Sequence, residues 1–259
     1  MRYGTNSSPR RGLLRMSEVI LAGPPEWVFF DVGETLIRPW PSFAGAIVEI
    51  CASEGVELSD DEAHAVADAR LRKFLDFVRE LEGGSFSDDP KRSRNFWTKF
   101  YQGFLGEMGM EPDLAAHLST VIYDEMTQPH RYRVFDDAKP LMDLLAARGI
   151  KMAVVSNWEA FLDDMLDGLG IGHHFEVRAI SGIEGIEKPN PEIFRRALER
   201  AGAHPSTVVH IGDDPRSDAE PASGLGMGAI IIDRRNRHPE REWPTVESLS
   251  EVPALLGLE

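Results

Sequence analysis

Five short stretches of the chain are almost continuously apolar and rich in β-branched residues: Trp27–Phe30, Met152–Val155, Val177–Ile180, Val208–Ile211 and Ala229–Ile232. Runs of this texture belong to strands covered on both faces, where neither side of the pleat meets water. Between the last four, apolar residues return at helical spacing. Asp136-Asp137 opens a helix that carries Leu141, Leu144 and Leu145 and closes at Gly149. Asn190 caps another, with Pro191 at its first position, Ile193, Phe194, Ala197 and Leu198 on its apolar face, and Gly202 at its end. Strands alternating with helices of this length predict an α/β fold, a parallel sheet with helices on both faces.

The first and second strands are separated by a long segment without strand texture. Phe43, Ile47, Ile50 and Cys51 fall at helical spacing. Ser59 and Glu62 form a capping box ahead of a stripe of Ala63, Ala67, Phe74, Val78 and Leu81. Phe96, Trp97, Phe100, Tyr101, Phe104, Leu105 and Met108 mark one broad face, and Pro112 opens a helix with Leu114, Leu118, Val121 and Ile122. Four helices inserted after the first strand predict a second, helical domain over residues 39–131, with residues 25–38 and 132–259 forming the α/β core. The aromatic face predicts packing between helices in preference to a ligand platform. Residues 1–24 are polar, with proline and glycine breakers, and predict a disordered tail; Met16 is as good a first residue as Met1. The pair Arg10-Arg11 ahead of Leu13-Leu14 is not a secretion signal, because Arg15 and Glu18 interrupt the apolar segment.

Composition narrows the partners. Of 259 residues, 28 are Lys or Arg and 43 are Asp or Glu, a net charge of −15. So acidic a surface argues against nucleic acid and anionic membranes, both of which reward basic side chains. No apolar run approaches the roughly 18 residues of a membrane span. The single cysteine, Cys51, excludes an internal disulfide framework, fits a cytoplasmic location and reads as a small apolar helix residue. Monomer and homodimer remain equally open.

Ligands of an open α/β sheet bind beyond the carboxyl ends of its strands, so the residue after each strand carries the chemistry. Asp31 follows the first, leading into Val32-Gly33-Glu34-Thr35-Leu36; Ser156-Asn157 follows the second. After the third, a loop leads to Glu187-Lys188-Pro189-Asn190-Pro191; Gly212-Asp213-Asp214-Pro215-Arg216-Ser217-Asp218 follows the fourth. Singly, each has a plainer reading: a strand-terminal Asp is often a turn residue, and an acidic pair usually marks a wet surface. Together and in this order they suit attack of a carboxylate on phosphorus, provided that its repulsion with the phosphate is neutralised. A magnesium ion on hard oxygen ligands supplies that neutralisation. Asp31 and Asp213 offer carboxylates, and Lys188 offers a fixed positive charge. The Ser156 hydroxyl and the Asn157 amide can donate to non-bridging phosphate oxygens.

These four segments resemble motifs I to IV of the haloacid dehalogenase superfamily, and Ala222-Ser223-Gly224-Leu225-Gly226-Met227 resembles the helix and strand that follow motif IV. The resemblance spans residues 26–232 and places the helical insertion where that family carries its cap. It implies a Rossmann-like core with an inserted α-helical cap, and a Mg2+-dependent hydrolase, most often a phosphatase acting on a small phosphorylated metabolite. It further implies Asp31 as the nucleophile that forms an aspartyl-phosphate and as a metal ligand. The Gly33 carbonyl and Asp213 would be further metal ligands, and Asp218 would act through water or by orienting Lys188. Ser156 and Lys188 would serve catalysis, and Thr35, Ser156, Asn157 and Lys188 would bind substrate.

The departure lies at Gly33. Phosphatases of the family place there a second Asp that protonates the leaving oxygen and then activates water, help worth roughly 10²–10⁴-fold. Glycine does neither. Glu34 or a cap residue could replace it, or substrates could have good leaving groups. Alternatively the protein is a low-turnover phosphate-binding or regulatory member. Haloacid dehalogenation is disfavoured by the acidic motif IV, and phosphonate cleavage needs a desolvated cap lysine that nothing marks among Lys73, Lys91 and Lys99. Arg234, Arg235 and Arg237 read as a solvated turn, and Arg38 as a surface residue.

Overall fold

The computed structural model describes residues 20–21, 23–79, 85–240 and 242–259. The tail expected over residues 1–24 therefore lies largely outside the described residues; Ile20 and Leu21 pack against the main core.

Six strands form one sheet: β1 (Trp27–Phe30), β4 (Lys151–Ser156), β5 (Phe175–Ile180), β6 (Val208–Gly212), β7 (Gly228–Ile232) and β8 (Thr245–Val246). All its pairings are parallel, in the order β5-β4-β1-β6-β7-β8. Period-two alternation then splits each strand between two apolar layers. Val28 and Phe30 face one side and pack with Leu141 and Leu145 of α6 (Ala138–Ala147), Met165 of α7 (Leu162–Gly168) and Val252 of α11 (Val252–Leu255). Trp27 and Phe29 face the other and pack with Ile193, Phe194 and Ala197 of α9 (Glu192–Ala201) and Ala222 of α10 (Glu220–Gly224). A short helix, α8 (Ser181–Glu184), follows β5. The parallel sheet covered on both faces is the predicted one, and Gly149 and Gly202 take the left-handed conformation expected where helices end.

Three short strands had no signal in the pattern. β2 (Ile37–Pro39) and β3 (Tyr132–Val134) pair antiparallel at the two ends of the helical insertion, and β8 extends the main sheet. The insertion itself holds α1 (Phe43–Ser53), α2 (Asp60–Arg72), α3 (Phe74–Arg79), α4 (Pro90–Glu107) and α5 (Pro112–Met126). Ser59 caps α2 as expected, accepting from the Glu62 N–H. The stripe expected to run unbroken from Ala63 to Leu81 breaks at Lys73, giving five helices among the described residues where four were predicted. The aromatic face packs on itself: the rings of Phe74, Phe86, Phe96, Trp97, Phe100 and Tyr101 meet in edge and stacked pairs 5.1 to 6.3 Å apart. No described helix is long and apolar enough to cross a membrane.

Candidate active site

Counted in chain order within the main sheet, the strands run 3-2-1-4-5-6, so the order reverses between β1 and β6. That reversal opens a crevice at the carboxyl ends of these two strands. Asp31 ends β1 and Asp213 ends β6, and the Asp31 N–H donates to the Ile211 carbonyl across the gap at 2.9 Å. Ser156 ends β4, Lys188 comes from the loop beyond β5, and Asp218 from the segment after β6. Ser156 Oγ donates to Asp31 Oδ1 at 3.0 Å, and Lys188 Nζ donates to the same oxygen at 2.7 Å. Lys188 Nζ also donates to Asp218 Oδ1 at 2.6 Å, bridging two carboxylates while itself only 3% exposed. Asp31 Oδ2 receives no donor among the described residues. Thr35, four residues after Asp31, is fully buried, and its Oγ1 has no hydrogen-bond partner among the described residues.

Each of these side chains is held by a neighbour. The Asn157 side chain is spent on the backbone of Lys188: its Nδ2 donates to the Lys188 carbonyl at 2.8 Å, and its Oδ1 accepts the Lys188 N–H at 2.6 Å. Asp218 has both oxygens engaged, Oδ1 by Lys188 and by His210 Nε2 at 2.9 Å, Oδ2 by the Asp214 N–H at 3.0 Å. Gly212 makes this packing feasible, because a Cβ there would lie 2.2 Å from Asp218 Cγ. Asp214 turns its carboxylate away to cap the following turn, accepting from the N–H groups of Arg216 and Ser217.

Donor atoms of Asp31, Asp213 and Asp218 lie within 4.8 Å of one another. Three carboxylates so close leave negative charge in excess. Burial, reinforced by the charges of Asp31 and Asp218, pushes Asp213 up to about 8 despite its pairing with Arg237. Asp31 is also raised, by burial above all and by Asp218, against the pull of Lys188. Asp218 goes the other way: burial raises it, but Lys188 and His210 together hold it well below the usual carboxylate range. Lys188 is penalised by burial, yet the two carboxylates raise it above its ordinary value, so it stays protonated. An all-oxygen donor set short of positive charge fits a hard divalent cation.

Gly33 has Trp158 against it: a Cβ at position 33 would meet the indole Cζ3 at 3.2 Å. Glu34 sits in the left-handed region at φ 55° with its carboxylate 3.2 Å from Arg235. The arginine cluster expected to form a solvated turn is instead part of this region. Arg234 forms two 2.8 Å bonds to Asp137, stacks 3.8 Å from the Phe135 ring centroid, and donates to the carbonyls of Glu34 and Thr35. Arg237 donates to Asp213 Oδ2 at 2.6 Å. Away from the acidic cluster, His174 is held below its ordinary value by burial and by His173.

Sequence reasoning missed His210, Trp158 and Glu159, quoted Glu187 in a motif without giving it a role, and read Arg237 as part of a solvated turn. His210 alone left a signal, a polar residue interrupting an apolar strand. Glu187 accepts from the Phe86 and Ser87 N–H groups at 3.2 and 2.9 Å and from Ser87 Oγ at 2.7 Å, tying the insertion to the loop that carries Lys188. Glu159, in the loop after Ser156, accepts from the Tyr123 hydroxyl of α5.

Comparison with known proteins bears on the family and the fold. The family model for haloacid dehalogenase-like hydrolases matches residues 25–226. The chain is 28% identical over 238 residues to haloacid dehalogenase-like hydrolase domain-containing protein 3 of Danio rerio, covering 90% of this chain and 97% of that protein. It is 32% identical over 230 residues to a phosphoserine phosphatase of Thermus thermophilus, covering 83% and 91%. The magnesium-bound HAD-hydrolase YfnB of Bacillus subtilis shares the fold with a TM-score of 0.69 at 18% identity, covering 90% and 99%.

Proposed function

This chain belongs to the haloacid dehalogenase-like hydrolase family, and from that premise we propose that it is a magnesium-dependent phosphatase of small phosphorylated metabolites. The observation that carries the proposal is the convergence on Asp31: Lys188 and Ser156 both donate to Oδ1 while Oδ2 stays without a protein donor. Relatives named phosphoserine phosphatase and glyceraldehyde 3-phosphate phosphatase support a small phosphorylated substrate.

In this reading residues 25–38 and 132–259 form the hydrolase core and residues 39–131 cap it. Asp31, the Gly33 carbonyl, Asp213 and Asp218 would hold Mg2+, which would supply positive charge to offset that of the phosphate. An Asp31 oxygen attacks phosphorus, so an O–P bond forms as the P–O bond to the alcohol breaks and its electron pair leaves with the alcohol oxygen. Ser156, the Asn157 N–H and Thr35 hold the non-bridging oxygens, and Lys188 offsets the charge gathered around Asp31. Water then cleaves the aspartyl-phosphate and restores the carboxylate. The leaving oxygen takes its proton from water, since Gly33 has none to give and Glu34 is paired with Arg235. Substrates with acidic leaving groups should therefore be favoured.

The test is phosphate release from a panel of phosphomonoesters, with magnesium and with chelator, for wild type and Asp31→Asn. Magnesium-dependent release that disappears in the variant supports the proposal. Silence across the panel with phosphate still bound would favour the low-turnover binding reading, for which the filled space beside Gly33 speaks.

A further inference from the structure

Arg237 lies beyond residues 25–226 that the family model matches, yet the fold delivers it to the acidic cluster. β7 runs into Asp233, a buried residue whose carboxylate accepts the N–H groups of Arg237 and His238, both at 2.8 Å. This turn aims both side chains back at the end of β6. Arg237 Nη2 donates to Asp213 Oδ2 at 2.6 Å, and His238 Nε2 to the Asp213 carbonyl at 3.1 Å. The other two carboxylates of the cluster share Lys188. The site thus has two fixed cations on opposite flanks, Lys188 between Asp31 and Asp218, and Arg237 on Asp213.

We propose that Arg237 sets the balance between metal and phosphate at this site, weakening the hold on the metal and strengthening the hold on phosphate. The inference rests on the phosphatase reading above. A divalent ion and a guanidinium on one carboxylate repel each other, so Arg237 opposes metal binding. A phosphate dianion arriving beside that ion is attracted by both charges, so Arg237 favours it. A residue with a merely structural role would loosen both when removed; opposite signs are the signature of charge. The Arg237 side chain is 47% exposed, so water and salt screen it. Changes of about three- to tenfold are expected, well short of those at a dry site.

The experiment titrates chelator-treated protein with Mg2+ alone by calorimetry, then measures inorganic phosphate binding at saturating Mg2+, for wild type, Arg237→Gln and Arg237→Lys. Arg237→Gln should bind Mg2+ about three- to tenfold tighter and phosphate weaker by a similar factor, whereas Arg237→Lys, keeping the charge, should stay within about twofold of wild type. Weakening of both ligands, or movement of neither, overturns the proposal. Thermal denaturation checks that each variant is folded. Asp213→Asn separates the levels: if it binds Mg2+ like wild type, the metal site itself is misplaced, whatever Arg237 does.

Discussion

Restoring an aspartate at position 33 should help only when Trp158 makes room for it. Gly33 is not in the left-handed region, so an aspartate meets no backbone penalty there. The obstacle is the indole, whose Cζ3 would stand 3.2 Å from the new Cβ. Overpacking of this kind costs about 1–3 kcal/mol, equivalent to roughly 5- to 150-fold in rate if charged against a well-placed acid. The gain available from general acid–base help is roughly 10²–10⁴-fold, so Gly33→Asp alone keeps only a fraction of it. Gly33→Asp with Trp158→Leu should recover most. The assay compares kcat/KM for an alkyl phosphate, whose alkoxide needs a proton, with p-nitrophenyl phosphate, whose phenolate does not. The alkyl-to-aryl ratio should rise in the double variant by up to the full acid–base gain, and by roughly 5- to 150-fold less in the single variant. An unchanged ratio in the double variant, with aryl activity intact, would refute the reasoning. So would a wild type that already cleaves both equally, because an acid would then be present elsewhere.

Two further outcomes follow from the packing around the site. Gly212→Ala places a methyl group 2.2 Å from Asp218 Cγ, displacing the carboxylate that orients Lys188; kcat/KM should fall about a hundredfold or more with a lower Tm, and near-normal kinetics would contradict the role given to Asp218. Burial pushes the Asp137 carboxyl up, but the Arg234 guanidinium, the Ser248 hydroxyl and the Leu249 N–H together hold it below the usual range. A carboxylate depressed in the folded state adds stability above its unfolded pKa and loses it as pH falls through the folded value. Asp137→Asn should therefore lower stability at neutral pH and flatten the acid side of a Tm–pH profile, which would stay parallel to wild type if the pairing contributed nothing.

Asp31, Ser156, Lys188 and the acidic loop were legible because a parallel sheet places every strand's carboxyl end on one edge. Asp31, Ser156 and Asp213 each stand at such an end, so strand texture alone located them. Residues whose partners come from distant segments were not legible. Nothing in Glu187 announces Ser87 as its partner, and nothing in Arg237 announces Asp213, because both meetings depend on loop paths set by tertiary packing. Arg234 reads as surface by composition, yet the two oxygens of Asp137 and the face of Phe135 satisfy it in a part-buried setting. The strands β2, β3 and β8 are too short for periodicity to register and exist only through their pairings. Lys73 breaks the second stripe of the insertion without a proline or glycine to mark it.

The hydrogen bonds of Glu187 to Phe86 and Ser87, and of Glu159 to Tyr123, fall on the β4–β5 side of the sheet. Across the crevice, towards β7, the insertion borders instead a cavity of about 150 Å³ lined by Glu34, Arg38, Phe43, His64 and Arg235. The contacts of these two glutamates thus moor the insertion on the side of the sheet that carries Lys188, the residue next to Glu187. A single backbone step links that mooring to the cation that donates to Asp31 and Asp218.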